Sequence, residues 1–189
     1  MTRQSGIHVF KPDTTGMTIM EAIYTRRSIR KFTQQPVSDE LVSAFIKAGM
    51  NAPSAGNQQP WQFMVIRDRA TLNELMTVHP YSSMLAQATV AILVCGDLSL
   101  ETRQGYWVQD CAACTENILL EIADAGLGAV WLGVHPREER VTGIRRVLGI
   151  PESVVPFSLI PVGHPAEEKA PNDKFFPERI HRDRWGGKY

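Results

Sequence analysis

The chain has 189 residues, with 20 basic and 20 acidic side chains that cancel and a composition that is 43% hydrophobic and 21% charged. That length suits one domain with a buried core, and zero net charge offers no global field for nucleic acid or an acidic membrane surface. No apolar run reaches a signal-peptide h-region near the start or the roughly 18 residues of a membrane span, so a cytoplasmic location is the expectation.

In chain order, residues 1–16 are mixed and polar and read as an N-terminal arm. Ile19, Met20, Ile23 and Tyr24 then recur at helical spacing from Thr18, and this helix runs into the basic stretch RRSIRKF at 26–32. Ser38 caps a second helix with an apolar face of Val42, Phe45 and Ile46, closed by Gly49. The decapeptide NAPSAGNQQP, 51–60, is made of turn formers and short polar side chains and must be a loop.

Trp61 to Ile66 reads as a strand, Arg69 to Val78 as a short helix and Ala88 to Cys95 as a buried strand. From Gly105 to Ala125 apolar residues recur nearly all round, which predicts a helix buried in the middle of the domain and stopped by Gly126 and Gly128. Ala129 to Val134 reads as a third strand, Arg137 to Leu148 as a helix, and Pro156 to Val162 as a fourth strand whose prolines point to an edge or irregular position. Beyond Gly163 charges and aromatics follow without periodicity, so this segment should pack on something else. Helices and strands mix without strict alternation, which makes one α+β domain with terminal arms.

Cys95, Cys111 and Cys114 are too few and odd in number for a disulfide framework. The Cys111/Cys114 pair lies inside a long apolar-periodic segment and not at a helix start, so it reads as packing. The five histidines share no ligand spacing with the cysteines or each other, and no metal is expected. Gly126-Leu127-Gly128 lacks the third glycine of a dinucleotide fingerprint and leads into a strand instead of following one.

Two segments carry chemistry. Arg26, Arg27, Ser28 and Arg30 supply the cations and hydroxyl that a phosphomonoester needs, although a solvated basic helix end would look the same. In the loop, Ala52, Ser54, Ala55 and Gly56 let backbone approach a flat ligand, and Asn57, Gln58 and Gln59 offer donors and acceptors. A plain surface loop is the alternative, but ten irregular residues with three consecutive amides favour ligand contact.

These residues resemble the FMN-dependent nitroreductases, homodimeric flavin oxidoreductases. EAIYTRRSIRKF, AGMNAPSAGNQQPWQF, GLGAVWLGV, PVGHPAEEK and DKFFPERIHRDRW carry the resemblance, in order, over residues 17–185. It implies a central, mostly antiparallel sheet flanked by helices: an N-terminal arm at 1–16, an FMN-binding domain at 17–163, and a C-terminal arm at 164–189 reaching the dimer partner. It also implies FMN at the subunit interface, NADH or NADPH as co-substrate, and a small electron-poor acceptor such as a nitroaromatic or quinone, used in turn at one pocket. Arg26 and Ser28 are then expected at the phosphate, with Arg27 in the same segment and Arg30 nearer the ribityl chain and pyrimidine edge. Pro53, Ser54, Ala55 and Asn57 match the loop that reaches the flavin of the other subunit. Leu132 and Gly133 match the strand end whose backbone faces flavin N5, and Lys174 matches a late phosphate-binding cation, where an arginine is common. No side chain is expected to act as a catalytic acid or base. The same flavin site could instead serve reductive dehalogenation, substrate dehydrogenation or flavin storage.

Overall fold

The computed structural model describes residues 19–171 and 174–188, so the expected arm at 1–16 lies outside the described residues. The helices are α1 (Ile19–Thr25), α2 (Asp39–Met50), α3 (Arg69–Val78), α4 (Trp107–Asp124) and α5 (Glu138–Leu148). The strands are β1 (Trp61–Ile66), β2 (Val90–Asp97), β3 (Gly128–Ala129), β4 (Leu132–Gly133) and β5 (Val154–Gly163). Their pairing is antiparallel throughout, in the order β1-β2-β5-β3, with β4 also on β5.

Strand periodicity explains why β2 is apolar from Val90 to Cys95. Val90, Ile92 and Val94 enter one core cluster with α2 and α4, whereas Ala91, Leu93 and Cys95 enter the other with α3 and α5. Successive side chains point to opposite faces, and here both faces are covered, so Val90 to Cys95 are all apolar. The α2/α4 contact is close because Gly49 has no side chain: a Cβ there would stand 2.8 Å from Ile118 Cγ1 and 2.9 Å from Cys114 Sγ. Helix α2 starts as its sequence predicts, with Ser38 Oγ accepting from the Leu41 N–H at 3.3 Å. Gly126, at φ +70°, turns the chain out of α4.

The fourth predicted strand is not at an edge. β5 lies between β2 and the β3/β4 pieces, and its prolines fall where the ladders are irregular. Pro156 pairs with Cys95 across a register shift, and Pro161 lies between the β3 and β4 pairings, where a missing N–H removes no bond to those pieces. The shift turns Phe157 and Ser158 to the same side: Phe157 packs on Trp107 of α4, and Ser158 bonds Thr115 of α4 at 2.9 Å. The predicted strand over 129–134 is likewise two short pieces, broken at Val130 and Trp131.

Residues 164–170 do not wait for another molecule to pack on. Thr33 N–H donates to His164 O and Ala166 N–H to Lys31 O, each at 2.9 Å, which lays this segment along residues 27–33 of the same chain. Farther on, Phe175 and Trp185 are exposed, Trp185 at 92%. The cysteines are free and buried; burial pushes the Cys95 and Cys114 thiols up to about 12 and Cys111 higher still, which fits the packing role. Among the described residues no His/Cys/Asp/Glu group could hold a metal, and no helix is long and apolar enough to cross a membrane.

Candidate active site

Helix α1 ends at Thr25, and the extended chain that follows is held in the sheet layer by the Ile29 N–H donating to Ala129 O at 2.9 Å. That turn throws the basic run against the returning segment 165–171. Between them lies a cleft of about 990 Å³ lined by Arg26, Arg27, Ser28, Arg30, Lys169 and Lys174, with Ile23, Tyr24, Pro171 and Phe175 as its apolar parts. A second cavity of about 400 Å³ adjoins it through Arg26, Arg27 and Lys169 and is floored by Leu119, Ile122 and Leu127.

The cations are not equivalent. Arg26 Nε pairs with Glu116 of α4 at 3.2 Å. Arg27 donates to the carbonyls of Ala170 (2.8 Å), Arg26 (2.5 Å) and Tyr24 (3.1 Å), so its guanidinium braces the cleft wall. Lys169 Nζ donates to Ser28 O at 2.6 Å and pairs with Glu167 at 3.3 Å. Glu167 accepts from the Arg30 N–H at 2.6 Å; that bond first, then Lys169, holds its carboxyl below the usual range. The Arg30 and Lys174 side chains make no ion pair among the described residues and line the cleft.

The loop expected to contact a ligand is tied to α4 by bonds its composition does not announce. Asp110, 4% exposed on α4, accepts from the Ala55 N–H at 2.9 Å and from Gln58 Nε2 at 2.6 Å. Gln58 Oε1 in turn accepts from the Thr102 and Arg103 N–H groups at 2.9 and 2.8 Å. The Gln58 amide therefore serves the fold and is not free for a ligand as the sequence suggests. Gly56, Asn57 and Gln59 take positive φ, a conformation that Asn and Gly tolerate best. Pro53 and Asn57 are exposed, Ser54 and Ala55 half-buried, and none of the four lines the cleft of their own chain.

Leu132 and Gly133 stand outside that cleft too. The Leu132 side chain is buried in the core, which leaves its backbone alone to meet a ligand. At Gly133 a Cβ would meet nothing within 4 Å, and its carbonyl accepts from Arg140 Nη1 at 2.7 Å and His79 Nε2 at 3.1 Å. Burial first holds His79 below its ordinary pKa, and the nearby Arg140 charge adds to this. Sequence reasoning passed over Lys169, Asp110, His79 and Arg140. Lys169 ends the PVGHPAEEK stretch, but the other three carry no local signal.

The nitroreductase family model matches residues 23–79 and 75–164. A relative from Methanothermobacter thermautotrophicus, provisionally named NADH dehydrogenase/NAD(P)H nitroreductase, is 52% identical over 169 residues, covering 89% of this chain and 88% of its own. The FMN reductase [NAD(P)H] of Bacillus subtilis is 25% identical over 185 residues, covering 86% of this chain and 72% of its own. Among solved structures, a provisionally named nitroreductase from Desulfovibrio desulfuricans in complex with FMN superimposes with a TM-score of 0.79 at 32% identity, covering 89% of this chain and 98% of its own. With a family match over most of the chain, the basic run at 26–32 included, and half of all aligned positions shared with one relative, the chain belongs to the nitroreductase family.

Proposed function

We propose that the protein is an FMN-dependent oxidoreductase that takes a hydride from NADH or NADPH and reduces a nitroaromatic, quinone or similar electron-poor acceptor, donor and acceptor using one pocket in turn. The observation that carries this reading is the gathering of Arg26, Arg30, Lys169 and Lys174 with the Ser28 hydroxyl in one cleft of a chain without net charge. Such a donor set fits a phosphomonoester, which takes charge-assisted bonds best where guanidinium and hydroxyl groups converge. Relatives named as an NAD(P)H nitroreductase and an FMN reductase, and a fold neighbour solved with FMN, support the same choice.

In this reading Arg26 and Ser28 would hold the phosphate, Lys174 would add a cation, and Arg30 would face the ribityl chain and pyrimidine edge. Arg27 acts through the wall it braces, and the Leu132–Gly133 backbone would face N5. Pro53, Ser54, Ala55 and Asn57 would cover the flavin of a second subunit in a homodimer. Once bound, FMN supplies the ring that accepts hydride and passes it on; cations near its pyrimidine edge favour the more negative, reduced form. An absorption spectrum of the purified protein tests the cofactor, and turnover of NADH or NADPH with nitro and quinone acceptors tests the reaction. A colourless protein that takes up no added FMN would end this reading.

A further inference from the structure

Two side chains from the α3/α5 layer meet on one carbonyl. Arg140, in the first turn of α5, donates to Gly133 O at 2.7 Å, and His79, directly after α3, reaches the same atom at 3.1 Å. His79 is 1% exposed, and its Nδ1 accepts from the Tyr81 N–H at 3.3 Å. One ring nitrogen accepts and the other donates, which is the neutral ring with its proton on Nε2. The Tyr81 ring, 68% exposed, stands edge-on to His79 at 6.4 Å and lies 5.4 Å from the Arg140 guanidinium. The far end of the same peptide is held too, since the Val134 N–H donates to Phe157 O at 3.0 Å.

Packing anchors the flanking Leu132 and Val134, 4% and 0% exposed, but not Gly133 itself. β4 is two residues long, and Gly133 has neither a side chain nor a neighbour where one would be. A glycine so placed could rotate between several backbone conformations at little steric cost.

We propose that His79 and Arg140 are positioning residues for hydride transfer: by holding the Gly133 carbonyl they fix the direction of the Gly133 N–H on the preceding peptide, so that it meets the flavin in one orientation, and Arg140 adds positive charge nearby. The proposal rests on the reading of Gly133 as the residue facing N5. A cation held there favours the reduced ring, and a fixed peptide dipole needs no reorganisation when the ring is reduced.

The test uses FMN-loaded protein. Arg140→Met should shift the midpoint potential of the bound flavin to more negative values and lower its rate of reduction by saturating NADH or NADPH about tenfold, on the scale of one lost hydrogen bond. KM should change little, and Arg140→Lys should restore most of the rate. If Arg140→Met does not fold, Arg140→Gln, which keeps a donor and removes the charge, carries the same measurement of potential. A clamp that serves only the fold would lower the melting temperature and leave potential and rate at their wild-type values, and that result overturns the proposal. A wild-type protein that holds no FMN overturns the flavin reading together with the clamp; a flavin-loaded wild type with unaltered variants overturns the clamp alone.

Discussion

Replacing Asp110 with alanine tests whether one buried carboxylate sets the shape of the 51–60 loop. Its two oxygens accept from Ala55 N–H at 2.9 Å and Gln58 Nε2 at 2.6 Å, and the Gln58 amide then passes the constraint to the Thr102 and Arg103 N–H groups. A hydrogen bond to a charged group contributes about 1.5–3 kcal/mol, so two at the lower figure come to about 3 kcal/mol. A domain of this kind is stable by about 5–15 kcal/mol, so the variant should fold but open locally. About 3 kcal/mol is roughly a 100-fold change in an opening equilibrium. Hydrogen exchange at Ala55, Thr102 and Arg103 should quicken by that factor, more than in the β2 and β5 strands. Asp110→Asn should fall between, since it keeps one acceptor and turns a donor toward another. Exchange within threefold of wild type at all three amides, with an unchanged urea midpoint, would refute the reasoning.

Arg26→Ala combined with Ser28→Ala should release FMN from a folded protein, read as flavin in the filtrate, because about two charge-assisted bonds to phosphate are lost; full flavin retention would remove both residues from the site. Gly49→Ala places a methyl against Ile118 and Cys114 in the α2/α4 contact and should lower stability by about 1–3 kcal/mol in urea unfolding, while leaving the flavin site intact. The cysteines should react with a thiol reagent only on unfolding, given thiols pushed to about 12 at Cys95 and Cys114. For His79 the folded pKa is lowered from 6.5, so its contribution to stability is fully present above about pH 6.5 and declines as pH falls from there toward the folded value. The stability difference between wild type and His79→Gln should therefore be flat above pH 7 and change in favour of the variant below 6.5.

Much of the fold was legible because its signals are local. The β1 and α3 limits follow from apolar runs bounded by turn formers, and the α4 periodicity reports a helix buried on most sides. The basic run was legible as a cluster because three arginines and a hydroxyl lie within five residues, and the structure gathers Arg26, Arg27, Ser28 and Arg30 in one cleft. Where reading failed, the cause was a partner far along the chain. Prolines in β5 leave an edge and an irregular position both open until the register shift opposite Cys95 and the break between β3 and β4 decide for the second. Gln58 looks like a ligand donor until Asp110, 52 positions away, takes its amide.

By itself the sequence determined most of the helix, strand and loop segments, and that a dense set of cations starts at Arg26, because periodicity and local charge act over a few residues. Tertiary structure alone decided that Lys169 bonds Ser28 across 141 positions, that Asp110 shapes the amide-rich loop, and that His79 and Arg140 converge on Gly133. Each of those depends on where distant backbone comes to lie, and a hydrogen bond forms only when donor and acceptor come within about 3 Å, a condition that no pattern of neighbouring residues encodes.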